Sequence, residues 1–318
     1  MMNEENACSQ GNCYYPETSC QLGHLSECPN MKKSKNHPDI PFNVNDDVSI
    51  AWTGLAMGHT DVAYVAGKIK PFVVGVFGAE NAGKTSLLGA WYLLIGKGVL
   101  RSTKWQFAGS RTLEGWETVA NGLRWMNNQT PPSFPPHTSS RSGRSPGLLH
   151  LSLCHSLNGY KEFLFTDAPG EWFKSWTQNA DTDQAVGAKW VASKSDVLLI
   201  VADSEALSST NRGRVRNELQ YLINQVASIH QNRPVALVWT KSDVKVDNGI
   251  STAIKNLLHR HIPNAVEFEV SLKEDSAESL QAGLFKLLVW ILDRERTKST
   301  VSSVQVSSQD PLFLFGSR

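Results

Sequence analysis

Five short runs of β-branched, aromatic and aliphatic residues punctuate the chain: "PFVVGVF" from Pro71, "EFLFTD" from Glu162, "DVLLIVAD" from Asp196, "PVALVWTKSD" from Pro234 and "AVEFEVSL" from Ala265. The unbroken apolar character of "PFVVGVF" predicts a strand buried on both faces, and the other runs read as further strands. Between them the period changes. Thr85 to Leu94 reads as a helix, and "NELQYLINQVASIHQ" sets Leu219, Leu222, Ile223, Val226 and Ile229 at helical spacing. "ESLQAGLFKLLVWILDRER" reads as a strong final helix. Strands alternating with helices predict an α/β fold, a doubly wound and mostly parallel sheet flanked by helices. "LLHLSLCHS", from Leu148, precedes "EFLFTD" across "LNGY", and the Asn158-Gly159 pair favours an antiparallel hairpin there.

Elsewhere the pattern is weaker. Between Gly98 and Gly147 only "TLEGWETVANGLRWMNN" looks helical, and "QTPPSFPPHTSSRSGRSPG" is dense in Pro and Ser and predicts an irregular segment. A long loop of that kind inside a compact domain is usually functional or disordered. Residues 1–45 are poor in aliphatics and form a Cys-rich segment with no core of its own. Residues 46–70 have apolar positions without one clean period and read as a connector packing on the main domain, 71–295. Residues 296–318 read as a tail whose "PLFLF" is an exposed apolar clip or part of a packing edge.

Composition adds limits. The chain has 318 residues, 41% hydrophobic and 19% charged, enough apolar material for a sizeable core. Its 31 basic and 30 acidic residues leave a net charge of +1, which argues against a nucleic-acid partner. No apolar run approaches the roughly 18 residues of a membrane span, and "MMNEENACSQ" has neither the basic nor the apolar region of a signal peptide, so the cytoplasm is the expected compartment. Cys8, Cys13, Cys20, His24 and Cys28 crowd the N-terminus. Thiolate and imidazole ligands suit Zn²⁺, although the absence of paired C-x₂-C knuckles leaves free thiols or disulfides as alternatives. Cys154 is expected to be a small buried residue.

The sharpest chemistry lies directly after the first predicted strand. "GAENAGKT", from Gly78 through Ala79, Glu80, Asn81, Ala82, Gly83 and Lys84 to Thr85, fits G-x-x-x-x-G-K-[ST] and runs into Ser86 and a helix. In such a loop backbone N–H groups and a helix N-terminus cradle a β-phosphate. Lys84 reaches the β- and γ-phosphates, and the Thr85 hydroxyl takes a place on Mg²⁺. Three further strand ends follow. "FLFTDAPGEW" offers Asp167 to Mg²⁺ through water and the Gly170 N–H to a γ-phosphate. "ALVWTKSD" ends in Thr240, Lys241 and Asp243, and "VSLKED" in Ser271, Leu272 and Lys273.

With "GAENAGKT", "DAPG", "TKSD" and "SLK" in this order, residues 71–295 resemble a P-loop GTPase of the translation-factor-related class. The resemblance implies that Asp243 takes the guanine N1 and N2 hydrogens, that the Lys241 stem lies along the base, and that Ser271 and Lys273 flank it from the other side. Thr240 departs from the usual Asn of the class. The Cys-rich N-terminus, "FAGSRTLEGWE" and "DAPGEWF" are similar to a narrower bacterial group, the double-GTPase-like proteins of conflict and defence systems. This implies a slow, Mg²⁺-dependent GTPase switch working with a protein partner, in which GTP orders residues 130–147 and the segment after Gly170.

The catalytic details stay open in the residues. Glu171, where small GTPases often carry Gln, either orients water or caps the following turn, and Trp172 reads as a packing residue. Thr138 is the leading candidate for the threonine that senses γ-phosphate, then Thr130; ordinary loop threonines are the alternative. Arg141 and Arg144 can supply positive charge in cis or stand solvated. Asn81 admits a potassium ion beside the phosphates, as in some GTPases with Asn there. Two rival readings are a GTP-binding scaffold without useful hydrolysis and a P-loop ATPase.

Overall fold

The computed structural model describes residues 56–58, 61–67, 69–123, 147–157, 159–272 and 277–296, all in one compact unit, 51–318. The strands are β1 (Phe72–Phe77), β2 (Trp105–Gly109), β3 (Gly147–His155), β4 (Gly159–Asp167), β5 (Val197–Asp203), β6 (Val235–Thr240) and β7 (Val266–Val270). The helices are α1 (Val62–Ala66), α2 (Lys84–Gly96), α3 (Leu113–Asn121), α4 (Gly170–Gln178), α5 (Val186–Lys194), α6 (Ser204–Leu207), α7 (Arg212–Ile229), α8 (Asn248–His261) and α9 (Ala277–Leu292). One sheet takes the order β2-β3-β4-β1-β5-β6-β7. β4, β1, β5, β6 and β7 run parallel, while β2 and β3 add an antiparallel edge. This is the expected doubly wound α/β fold.

The period of two along each central strand explains the two helical layers. In β5, Val197, Leu199 and Val201 point into one apolar cluster with Leu88 and Trp91 of α2 and Leu287 and Ile291 of α9. Leu198, Ile200 and Ala202 point into the other, with Phe173 of α4, Val191 of α5, Ile223 of α7 and Ile254 of α8. Both faces of β1, β5 and β6 are covered, so their sequences read as continuous apolar runs. A smaller cluster joins Met57 and Val65 to Val73, Leu148 and Leu164, and Met57 pairs antiparallel with Leu148.

Two expectations need correction. β2 was not foreseen: its side chains are mostly exposed, Phe107 included, so no apolar period marks it. Cys154 is half-buried rather than buried, because Leu149, Leu151 and Leu153 occupy one face of β3 and Cys154 falls on the other. Across that edge, Trp116 Nε1 donates to the His150 carbonyl at 2.8 Å, and His150 Nδ1 accepts the Arg111 N–H at 2.9 Å. The same imidazole therefore carries its proton on Nε2, which donates to Glu162 Oε2 at 2.7 Å. These bonds fasten "GSRTLEGW" to β3.

Parallel orientation brings the C-terminal ends of β1, β4, β5, β6 and β7 to one edge of the sheet. Open α/β sheets bind ligands at that edge.

Candidate functional site

The loop from Gly78 to Gly83 leaves β1 and enters α2. Its path needs two left-handed residues, Asn81 at φ 60° and Gly83 at φ 84°. Asn is among the few side chains that tolerate that region, and Gly adopts it freely. Gly78 is tight for another reason: a Cβ there would stand 3.0 Å from Val201 Cβ. Ala79, Glu80 and Asn81 are exposed, whereas Ala82 is buried under the loop.

Lys84 opens α2 and folds back under the loop. Its Nζ donates to the carbonyls of Gly78 at 3.1 Å and Ala79 at 2.7 Å, and only 7% of the residue is exposed. Burial pulls its pKa down to about 8, against the pull of Asp167, Glu171 and Glu80, which favour the charged form. Thr85 Oγ1 donates to Asp167 Oδ1 at 3.0 Å, and Ser86 is buried behind them. A hydroxyl beside a carboxylate is a pair of hard oxygen donors, of the kind Mg²⁺ takes together with water and phosphate oxygens.

β4 delivers Asp167 and then Gly170, the first residue of α4. A Cβ on Gly170 would lie 2.1 Å from the backbone N of Glu80, so only glycine lets this turn rest against the loop. Glu171 stands exposed in the first turn of α4, where a carboxylate suits the helix dipole. Trp172 is buried against Gly187, which has no Cβ to block the ring, so Trp172 packs, as the sequence implied.

The second half of the site is built by β5, β6 and β7. Thr240 ends β6 and is buried; its hydroxyl lies 2.8 Å from the Ala82 carbonyl and 3.2 Å from that of Ala202. The departure from Asn thus still ties this strand end to the phosphate loop. Lys241 follows at φ 52°. Its Nζ donates to Asp203 Oδ2 at 2.8 Å and Glu205 Oε2 at 2.9 Å. Burial alone would lower the Lys241 pKa, but the two carboxylates outweigh it and hold the ammonium above the usual lysine range. Asp243 is exposed, and the buried Ser271 donates to its Oδ1 at 2.6 Å. The Ser242 N–H also donates to the Val270 carbonyl at 3.2 Å, locking this turn to the end of β7. Leu272 is half-buried beside them.

Phosphate-loop and strand-end residues therefore meet along one edge. The Double-GTPase 2 family model matches residues 72–291 of this chain. The chain belongs to that family. It is a P-loop GTPase of the double-GTPase type. Among solved structures, Roco2 RocCORdC of Methanosarcina barkeri bound to GDP is 17% identical, with a TM-score of 0.38, over 71% of this chain and 50% of that one. The chain thus spans half the length of that structure. No curated protein matches it.

Some sequence candidates fall outside the described residues: Thr130, Thr138, Arg141, Arg144, Lys273, the Cys8, Cys13, Cys20, His24 and Cys28 cluster, and the "PLFLF" segment. Among the described residues no group of three or more His, Cys, Asp and Glu side chains could hold a metal, and no helix is long and apolar enough to cross a membrane. Sequence reading overlooked Asp203 and Glu205. Their signal was "VADSE", an acidic pair closing the strand beside "TKSD", but it gains meaning only when β5 and β6 are known to be neighbours.

Proposed function

We propose that this double-GTPase chain binds GTP with Mg²⁺, hydrolyses it slowly, and works as a nucleotide-dependent switch in a bacterial multi-protein defence system. The observation that supports this best is the meeting, at one sheet edge, of the Lys84 loop, the Thr85–Asp167 pair and the Asp243–Ser271 pair. Each supplies a separate need: charge for phosphates, oxygens for a metal, and a carboxylate for a base.

In this reading the loop amides and Lys84 hold the β- and γ-phosphates. Thr85 and Asp167 would hold Mg²⁺, which when bound neutralises charge developing on the phosphate oxygens. Gly170, already seated against Glu80, offers its N–H toward the γ-phosphate. Glu171 orients the attacking water from the first turn of α4. Asp243, steadied by Ser271, accepts the guanine N1 and N2 hydrogens, which adenine cannot supply in that pattern. Thr138 senses the γ-phosphate, and the order of residues 130–147 and of the segment after Gly170 changes with hydrolysis, which a protein partner reads. Asn81 would help hold a potassium ion beside the phosphates, and four of Cys8, Cys13, Cys20, His24 and Cys28 would hold Zn²⁺.

Phosphate release from GTP tests the enzyme claim, with and without Mg²⁺, in potassium and in sodium, for the intact chain and for Lys84→Ala. Slow turnover that needs Mg²⁺ and disappears in Lys84→Ala is the expected result. GTP bound without release would make the chain a scaffold, and equal rates in the two salts would remove the potassium site.

A further inference from the structure

Lys241 is held in a way that a surface lysine does not require. The register of β5 and β6 sets Asp203 directly opposite Thr240. The left-handed turn at the next residue, φ 52°, then carries the Lys241 side chain back across the end of β5. There it meets two carboxylates, Asp203 at 2.8 Å and Glu205 at 2.9 Å. Asp203 is itself fixed: only 8% exposed, it accepts the Ala206 N–H on Oδ1 at 3.1 Å and so caps α6. Its remaining oxygen, Oδ2, meets the ammonium. Restraining a lysine costs rotamer entropy, and a left-handed non-glycine backbone adds to that. Such costs are characteristic of functional sites, where order is arranged before the ligand arrives.

We propose that Asp203, with Glu205 as its outer partner, is a positioning residue for nucleotide binding, holding the Lys241 ammonium over the end of β5 so that its methylene stem forms a ready floor for a purine ring. The inference rests on the site reading above for its location, but not for the choice of base. Asp243 reads the edge of the ring, whereas the Lys241 stem faces its plane. The clamp therefore raises affinity for any purine nucleotide seated there. It acts entirely through Lys241.

A thermodynamic cycle on the full chain tests this. Dissociation constants for a fluorescent GDP analogue are measured for the wild type, Asp203→Asn, Lys241→Ala and the double variant. Asp203→Asn should weaken binding about tenfold, Lys241→Ala at least as much, and the double variant no more than Lys241→Ala alone. Factors that multiply would show that Asp203 acts independently of Lys241 and overturn the proposal. So would an unchanged affinity in Asp203→Asn. That variant keeps an amide oxygen able to accept the Ala206 N–H. Should it nevertheless fail to fold, Glu205→Gln decides the matter in the same cycle: a loss of about threefold, absent when Lys241 is already alanine, supports the clamp, and any other pattern refutes it. If the wild type prefers ADP to GDP, the guanine reading fails, and the cycle run with ADP still tests the clamp.

Discussion

The phosphate half and the base half of the site rest on different kinds of order. The phosphate half is one contiguous loop that presents mainly backbone groups, with Lys84 folded under it and Gly170 pressed against it. The base half is assembled from side chains that hold one another: Asp203 with Lys241, 38 residues apart, and Ser271 with Asp243, 28 apart. The first depends on conformations that only certain residues reach, so it should fail sterically. The second depends on hydrogen bonds, so it should fail chemically. The Thr240 hydroxyl joins them, reaching Ala82 across 158 residues of sequence.

The steric half gives the largest expected effect. Gly170→Ala places a methyl group 2.1 Å from the Glu80 nitrogen, a backbone atom that cannot turn aside. Displacing the turn or the loop should cost up to about 3 kcal/mol. Thermal unfolding and GTP affinity should fall together, and a variant matching the wild type in both would show that the loop yields more easily than this contact implies.

Thr240→Val tests the joint. The swap keeps the shape but removes the single hydroxyl proton that reaches the Ala82 and Ala202 carbonyls. A loss of about 1–3 kcal/mol in denaturant unfolding is expected, together with a weaker hold on GDP. Thr240→Ser should recover most of both. If valine lowered stability alone, with GDP affinity intact, the two halves would be independent.

The smallest effect is a pH dependence confined to the phosphate half. In the free protein Lys84 titrates at about 8, lowered chiefly by burial. Bound phosphates favour its charged form and raise that value. Above pH 8 the nucleotide complex therefore holds more protons than the free protein, so binding takes up a proton and affinity falls as pH rises from 7 to 9. Calorimetry in buffers of different ionisation heat should register that uptake. The clamp predicts no matching change at Lys241, whose pKa is raised and lies above this window. A flat affinity between pH 7 and 9 would mean that Lys84 is not the phosphate ligand.

The same contrast explains what could be read from sequence. β1, β5 and β6 declared themselves because burial on both faces leaves no polar period. Lys84 and Thr85 stood out because the G-x-x-x-x-G-K-[ST] pattern packs its requirements into consecutive residues. β2 did not, since an edge strand with exposed side chains carries no alternation. Nor did α8: its start is set by Asp247, which accepts the N–H groups of Gly249 and Ile250, a cap easily taken for ordinary turn chemistry. Asp203 was invisible as a partner of Lys241 because an acidic residue ending a strand is unremarkable until the neighbouring strand and its register are known. Contacts made within a few residues leave a local trace; contacts made by strand order do not.

The most direct test of the whole account is base selectivity at Asp243. GDP, XDP and ADP affinities are measured for the intact chain and for Asp243→Asn, with Mg²⁺ present. If Asp243 accepts the guanine N1 and N2 hydrogens, the wild type should prefer GDP over both rivals. The variant should lose at least about tenfold for GDP and gain for XDP, since an amide can donate where xanthine presents an oxygen. Equal affinities for GDP and ADP, unmoved by the substitution, would contradict the account: the "TKSD" turn would then be a structural feature of β6 and not the reader of the base.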